Sequence, residues 1–267
     1  MTRSYARAAV GERARVRVED EGETRTLVVD ETFASFYRPG EVATRCVWDA
    51  IAAPLLWLPP ARRRRILILG LGGGSVARLA RALAPEAEIV GVELDREVVR
   101  LARARLELDA LDLRVEIADA RAFLEHDLGR DRGRYDAILE DVFVGHGDAV
   151  HKPDWIPEPG HALARRRLAR GGLLVSNTLD EHARVSRALW AHFPAQVSIE
   201  VEEYDNQVLV GAPAGLTGAA LRERVAQDPV LRGSLPLLSF RTRSAPSDEA
   251  RRIRRPLRRG RAPTPGR

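Results

Sequence analysis

Three acidic residues and a run of glycines in this 267-residue chain are spaced as a nucleoside site would need them. The run is Gly70-Leu71-Gly72-Gly73-Gly74-Ser75, which leaves an apolar strand and opens a helix, so that its amides point at whatever lies beyond the strand end. Glu93 closes the next strand in VELD, with Leu94 beside it, where a carboxylate can accept hydrogen bonds from both hydroxyls of a ribose. Asp119 closes the third strand in EIAD and stands, with Ala120, where the exocyclic amine of an adenine could be received. Taken singly, each acid reads more readily as a strand-terminal cap or turn residue, and a lone glycine turn opens many nucleotide folds. At three successive strand ends they point to an adenosine-bearing cofactor.

The fourth strand ends in Glu140-Asp141. A carboxylate at Asp141 can orient an ammonium, take or relay its proton, and stabilise the positive charge that passes to a nitrogen when a carbon is transferred to it. Glu140 should face the other side of the strand, because side chains alternate. Residues 143–160 (FVGHGDAVHKPDWIPEPG) have no periodicity and read as a long loop over the pocket, a candidate substrate lid. His146, Asp148 and His151 within it stand at a spacing with no metal specificity, so no metal site is expected. Trp155 either covers the substrate or packs onto the domain.

The elements that must position these groups can be read from periodicity. Residues 14–30 alternate around Glu21-Gly22-Glu23 as an N-terminal hairpin. A helix is predicted over residues 41–57, the most apolar helical stretch, and Pro59, Pro60 and the run Arg62 to Arg65 punctuate the entry to a new unit. From Ile66 onward strand, turn and helix alternate: ILILG, a helix over 75–83, EIVGVEL, a helix over 96–106, LRVEIAD, a short helix from Ala120, YDAILED, a helix over 161–169, and GLLVSNT. After a helix over 181–193, the strands QVSIEVEE and QVLVGA are separated only by Tyr204-Asp205-Asn206. Three residues close a hairpin but cannot carry a parallel crossover. The expected fold is α/β: a doubly wound, seven-stranded, mostly parallel sheet with a reversed final strand and a small N-terminal β-hairpin module. The chain divides into a hairpin module with its linking helix (1–60), a cofactor-binding domain (61–235) and an Arg/Pro-rich tail (236–267).

Composition narrows the class. The formal charge is +5, but eight of the 43 basic residues lie in residues 251–267, leaving 35 bases against 38 acids before them. Any nucleic-acid contact is therefore expected through the tail alone, which reads as a solvated, disordered end. Neither a run of eighteen apolar residues nor a signal-like stretch occurs, so a cytoplasmic protein without membrane partners is expected. The single cysteine, Cys46, reads as a core thiol.

Over residues 15–213 the sequence resembles the spermidine/spermine synthase family of class I S-adenosylmethionine-dependent transferases. The resemblance rests on RTLVVD, WDAIAAPLLWLP, GLGGGS, VELD, IADA and YDAILED. It implies that Glu93 binds ribose, that Asp119 binds adenine, and that Asp141 stands at the family's catalytic aspartate. It also implies S-adenosylmethionine, or its decarboxylated form, as cofactor, and a homodimer in which the hairpin module could serve self-association.

Three departures qualify the implied reaction. Aminopropyltransferases carry G-G-G-D-G-G in the loop, where this chain has Gly73 at the aspartate. Their Y-x-E pair in the linking helix corresponds to Cys46 and Trp48, and D-S-S-D-P becomes Asp141-Val142-Phe143-Val144-Gly145, without the second acid. A tunnel short of carboxylates holds a polycation weakly, and loss of the loop aspartate removes a repulsion against the carboxylate of intact S-adenosylmethionine. The loop is similar to that of a spermidine-synthase-like protein methyltransferase domain that modifies a translation elongation factor. The primary expectation is accordingly methyl transfer to an amine-type or other nucleophilic acceptor, a small molecule or a protein. The alternatives are aminopropyl transfer in polyamine synthesis and a catalytically silent adenosyl- or nucleic-acid-binding module. A nicotinamide-dependent dehydrogenase fits poorly with the terminal hairpin.

Overall fold

In the computed structural model, which describes residues 15–126 and 134–245, the alternating N-terminal stretch forms three antiparallel strands where two were expected. They are β1 (Val16–Glu21), β2 (Thr24–Val29) and β3 (Thr32–Tyr37). Gly22 makes the first turn, as its spacing suggested. The second is made by Asp30 and Glu31, both in the left-handed region (φ 47° and 62°), which is what a two-residue hairpin turn demands. No glycine marks it, so the third strand was hidden.

The linking helix begins later than residue 41. It runs as α1 (Val47–Ala52) and continues as a 3₁₀ turn over Ala53–Trp57. Its start is set by Asp49, wholly buried, whose carboxylate accepts the amides of Thr44 and Arg45 and the hydroxyls of Thr44 and Ser234 at 2.6–2.8 Å. Four donors satisfy a carboxylate that burial would otherwise make costly. Arg45 takes a positive φ of 58° to let the chain turn back on that side chain.

The main sheet contains β4 (Arg65–Leu69), β5 (Glu88–Glu93), β6 (Arg114–Ile117), β7 (Tyr135–Glu140), β8 (Leu168–Thr178), β9 (Ala195–Val201), β10 (Gln207–Ala212) and β11 (Leu238–Thr242). The spatial order is β11-β9-β10-β8-β7-β4-β5-β6. Strands β4 to β8 pair in parallel, and β10 inserts antiparallel to both β8 and β9. The seven expected strands and the reversed last one are thus present. An eighth, β11, adds antiparallel to β9, so the sheet continues past residue 236 into the stretch assigned to the tail. Its five residues come after a 3₁₀ turn containing Pro236, too short a run for periodicity to reveal. The arginine-rich stretch beyond residue 245 lies outside the described residues.

Helices α2 (Ser75–Leu83), α3 (Arg96–Arg105) and α7 (Gly218–Gln227) pack with α1 on one face. On the other lie α4 (Ala120–His126), α5 (Gly160–Arg167) and α6 (His182–His192). Strand β4 shows why the sheet must be covered twice: Ile66 and Ile68 enter the first core, Leu67 and Leu69 the second, and all are at most 1% exposed. Each such side chain contributes about 1.5–3 kcal/mol. A strand apolar on both sides has no solvent face.

His161, at the start of α5, is 1% exposed, and neither ring nitrogen has a hydrogen-bond partner among the described residues. Burial, with the nearby charges of Lys152 and His192, lowers its pKa to about 3. The pKa is depressed in the folded state, so between that value and the unfolded value near 6.5 only the unfolded chain takes up the proton. The stability due to neutral His161 is therefore complete above about pH 6.5 and is lost as the pH falls. Between pH 7 and pH 5 the loss should be about 2 kcal/mol greater for this protein than for His161→Phe in urea unfolding. Equal pH dependence in the two proteins would remove His161 as the cause.

Candidate functional site

The carboxyl ends of four adjacent strands, β7-β4-β5-β6, form one edge, and the sequence-predicted residues meet there. The chain leaves β4 at Gly70 (φ 80°), whose amide and that of Leu71 donate to the Val92 carbonyl at 3.1 and 3.0 Å. The Asp141 amide donates to the Leu69 carbonyl at 2.8 Å. A Cβ at Gly70 would lie 2.4 Å from the Asp141 carbonyl oxygen, so the glycine turn is laid directly on the end of β7.

Glu93 sits on the other side of that turn. One carboxylate oxygen accepts the Gly72 amide at 2.9 Å and the other the Asp95 amide at 3.0 Å. Burial pushes its pKa up, and those amides oppose the rise. Asp119 caps α4: its Oδ1 accepts the Ala122 amide at 2.8 Å. The capping reading therefore holds at this residue, together with its position at the same edge. Leu94, 65% exposed, and Ile117, 37% exposed, stand beside these acids as apolar surface that an adenine could cover.

Asp141 is partly enclosed. Its Oδ1 accepts from Asn177 Nδ2 at 2.8 Å, and Asn206 Nδ2 donates to Asn177 Oδ1 at 3.1 Å, with the Trp48 indole beside the carboxylate. Burial raises the Asp141 pKa, while the Lys152 charge, the Asn177 hydrogen bond and the Trp48 indole pull it down. Glu140 faces the opposite side, as alternation required, and is buried against Lys152 and Ser176.

Part of the glycine loop also engages the N-terminal sheet. The Gly73 amide donates to Ser35 Oγ at 2.7 Å, and the Ser75 hydroxyl exchanges two 2.9 Å bonds with the backbone of Phe36. A Cβ at Gly73 would meet Leu106 at 2.5 Å and Ser35 at 2.7 Å, and one at Gly74 would meet Leu108 at 2.7 Å. Gly73, Gly74 and Ser75 thus turn toward β3 and the start of the 3₁₀ turn Leu108–Leu111. An amide at a helix N-terminus needs an acceptor, and Ser35 on β3 supplies one for Gly73. A glycine pattern carries no sign of that.

Residues 143–160 return on themselves. Val144 and His151 exchange two backbone bonds at 2.9 Å, and the Gly147 amide donates to the Asp30 carbonyl at 3.1 Å, resting the loop on the N-terminal sheet. Trp155 packs against Gly160 and the second core, so the packing alternative is the one observed. The surroundings of Asp141 on this side are apolar: Cys46 and Trp48 are buried, Val144 is 40% exposed, and Phe33 meets Trp48 edge-on at 4.9 Å.

Sequence reasoning missed Asn177, Asn206 and Ser35. The strand-end rule that located Glu93 and Asp119 applies equally to Asn177 in SNT at the end of β8, and could have found it. The donor set, two carboxylates beside exposed apolar surface on one side of a glycine turn and a third carboxylate on the other, suits an S-adenosyl group.

No family model matches the chain. The polyamine aminopropyltransferase of Vibrio vulnificus is 32% identical over 155 residues, covering 53% of this chain and 48% of that protein. That of Chromobacterium violaceum is 32% identical over 186 residues, covering 66% of each. The chain thus spans about half the length of the first of these relatives and less than two thirds of the second. A probable spermidine synthase from Corynebacterium glutamicum superposes with a TM-score of 0.68 at 21% identity, over 90% of this chain and 91% of that structure. Among the described residues no helix is long and apolar enough to cross a membrane.

Proposed function

We propose that this chain, similar in sequence to polyamine aminopropyltransferases and in fold to a probable spermidine synthase, transfers an alkyl group from an S-adenosyl donor to an amine-type acceptor oriented by Asp141. The names of the relatives favour the aminopropyl group, and with it the decarboxylated donor. The observation that carries the proposal is the setting of Asp141: a partly enclosed carboxylate at the end of β7, against the glycine turn, held by Asn177.

When bound, the donor supplies a carbon activated by a positively charged sulfur. Glu93 and Asp119 hold the nucleoside from β5 and β6. Asp141 aligns the acceptor nitrogen and takes its proton, and a carboxylate whose pKa is raised by burial is the better base for that purpose. Asn177, itself held by Asn206, keeps the carboxylate from rotating away.

Methyl transfer from intact S-adenosylmethionine is the second reading, and Gly73 favours it. The space an aspartate side chain would need there is filled by Ser35 and Leu106, so this loop carries no acid to grip the amine of a decarboxylated donor. Calorimetric titration of the purified protein with the two donors separates the readings. Tighter binding of the decarboxylated form, by about tenfold or 1.4 kcal/mol, is the expected result for aminopropyl transfer. The reverse preference makes methyl transfer the function, and no binding of either donor leaves the silent module.

A further inference from the structure

Lysine occurs once in the chain, against 42 arginines, and that lysine is wholly buried. Lys152 Nζ lies 2.6 Å from Glu140 Oε1, donates to the Val142 carbonyl at 2.9 Å and stands 3.8 Å from the centre of the Phe143 ring. Glu140 also accepts the Val142 amide at 2.8 Å and the Ser176 hydroxyl. Every group in this cluster belongs to the end of β7 and the turn beyond it, to β8, or to the point where the 143–151 loop returns. The Lys152 amide is itself fixed by Glu181 Oε1 at 2.7 Å.

Burying an ammonium costs several kcal/mol of desolvation, which only close partners offset. A planar guanidinium would not fit a site built around a point charge between a carboxylate, a carbonyl and a ring face. Residue 141 lies inside this closed turn, next in sequence to the paired carboxylate. Without the cation, the negative charge at Glu140 would disfavour a second one on the neighbouring residue.

We propose that the Glu140–Lys152 pair positions Asp141: it closes the turn on which Asp141 stands and supplies the charge that keeps the Asp141 carboxylate ionised beside Glu140. The role in turnover rests on the reading of Asp141 given above, but the electrostatic coupling does not. The charged or titratable groups facing the pair are Asp141 itself, Glu181 ahead of α6 and His161 on α5. Asp141 is met by the uncharged Asn177 from β8 and Trp48 from α1.

Trp48 supplies a readout independent of activity, because its indole lies beside Asp141, close enough to help hold that carboxyl's pKa down. In ¹H–¹⁵N spectra of the full chain its indole resonance, identified by its loss in Trp48→Phe, should titrate with Asp141 and cease to do so in Asp141→Asn. Lys152→Met should move that midpoint up by about 1–3 pH units, the usual effect of removing a nearby opposite charge, and Glu140→Gln should move it down. Opposite shifts are the signature of charge, since a turn that merely loosened would not move the two variants in opposite directions. An unchanged midpoint in folded Lys152→Met overturns the proposal. If that variant does not fold, Glu140→Gln decides alone, and the absence of a downward shift overturns it. Full turnover in Asp141→Asn, with the opposite shifts intact, would instead discard the functional reading and leave the coupling standing.

Discussion

Asp141→Asn lowers turnover at least about a hundredfold while the affinity for the S-adenosyl donor stays nearly unchanged, the result expected of a positioned acid/base group. The substitution keeps the volume and one acceptor oxygen, so the hydrogen bond from Asn177 can persist. What disappears is the negative charge and the capacity to take a proton from the attacking nitrogen. In the proposed reading the donor's nucleoside is held by Glu93 and Asp119, at the ends of β5 and β6 on the far side of the glycine turn, which this change does not touch. Single-turnover rates with saturating donor, set beside the donor dissociation constant, give both quantities. An unaltered rate would remove Asp141 from the reaction. A large loss of donor affinity would mean that it belongs to the cofactor contact instead.

The second large effect is on stability. Gly70→Ala should cost about 2–5 kcal/mol, combining the left-handed backbone at φ 80° with a methyl group 2.4 Å from the Asp141 carbonyl oxygen. Neither neighbour is a flexible side chain, so the strain has to move the end of β4 or of β7. Gly22→Ala is the matched control: its φ is 59° but nothing lies within 4 Å of the added carbon, leaving only the backbone cost of about 1–2 kcal/mol. Urea unfolding of both variants measures the difference. Equal losses at the two glycines would show that the contact with Asp141 contributes nothing.

Much of the fold is legible because its signals are local. The strand β4 with its glycine exit, α2 from Ser75 to Leu83 and the three-residue link between β9 and β10 each announce themselves in sequence, and together they dictate a doubly wound sheet with one reversed strand. What stayed hidden depends on partners distant in sequence. The turn at Asp30-Glu31 is left-handed without glycine. The start of α1 depends on Asp49 reaching back to residues 44–45 and across to Ser234.

The same division runs through the site. Glu93, Asp119 and Asp141 are recognisable because strand ends are recognisable and a parallel sheet gathers them at one edge. The groups that engage Gly73 and Ser75, Ser35 and Phe36, come from a separate sheet nearly forty residues earlier and leave no local signal. Lys152 reads in sequence as one charge in a loop. Its rarity in an arginine-rich chain is visible there, but its partner Glu140 can be identified only once the loop's return is known.

The bonds from Ser35 and Phe36 to the glycine loop fasten the N-terminal sheet to the exit of β4. The two modules cannot be exchanged like beads on a string. Grafting the hairpin of a homologue onto this chain would unseat the loop unless the small hydroxyl at position 35 came with it, so the two sheets are bound to diverge in step.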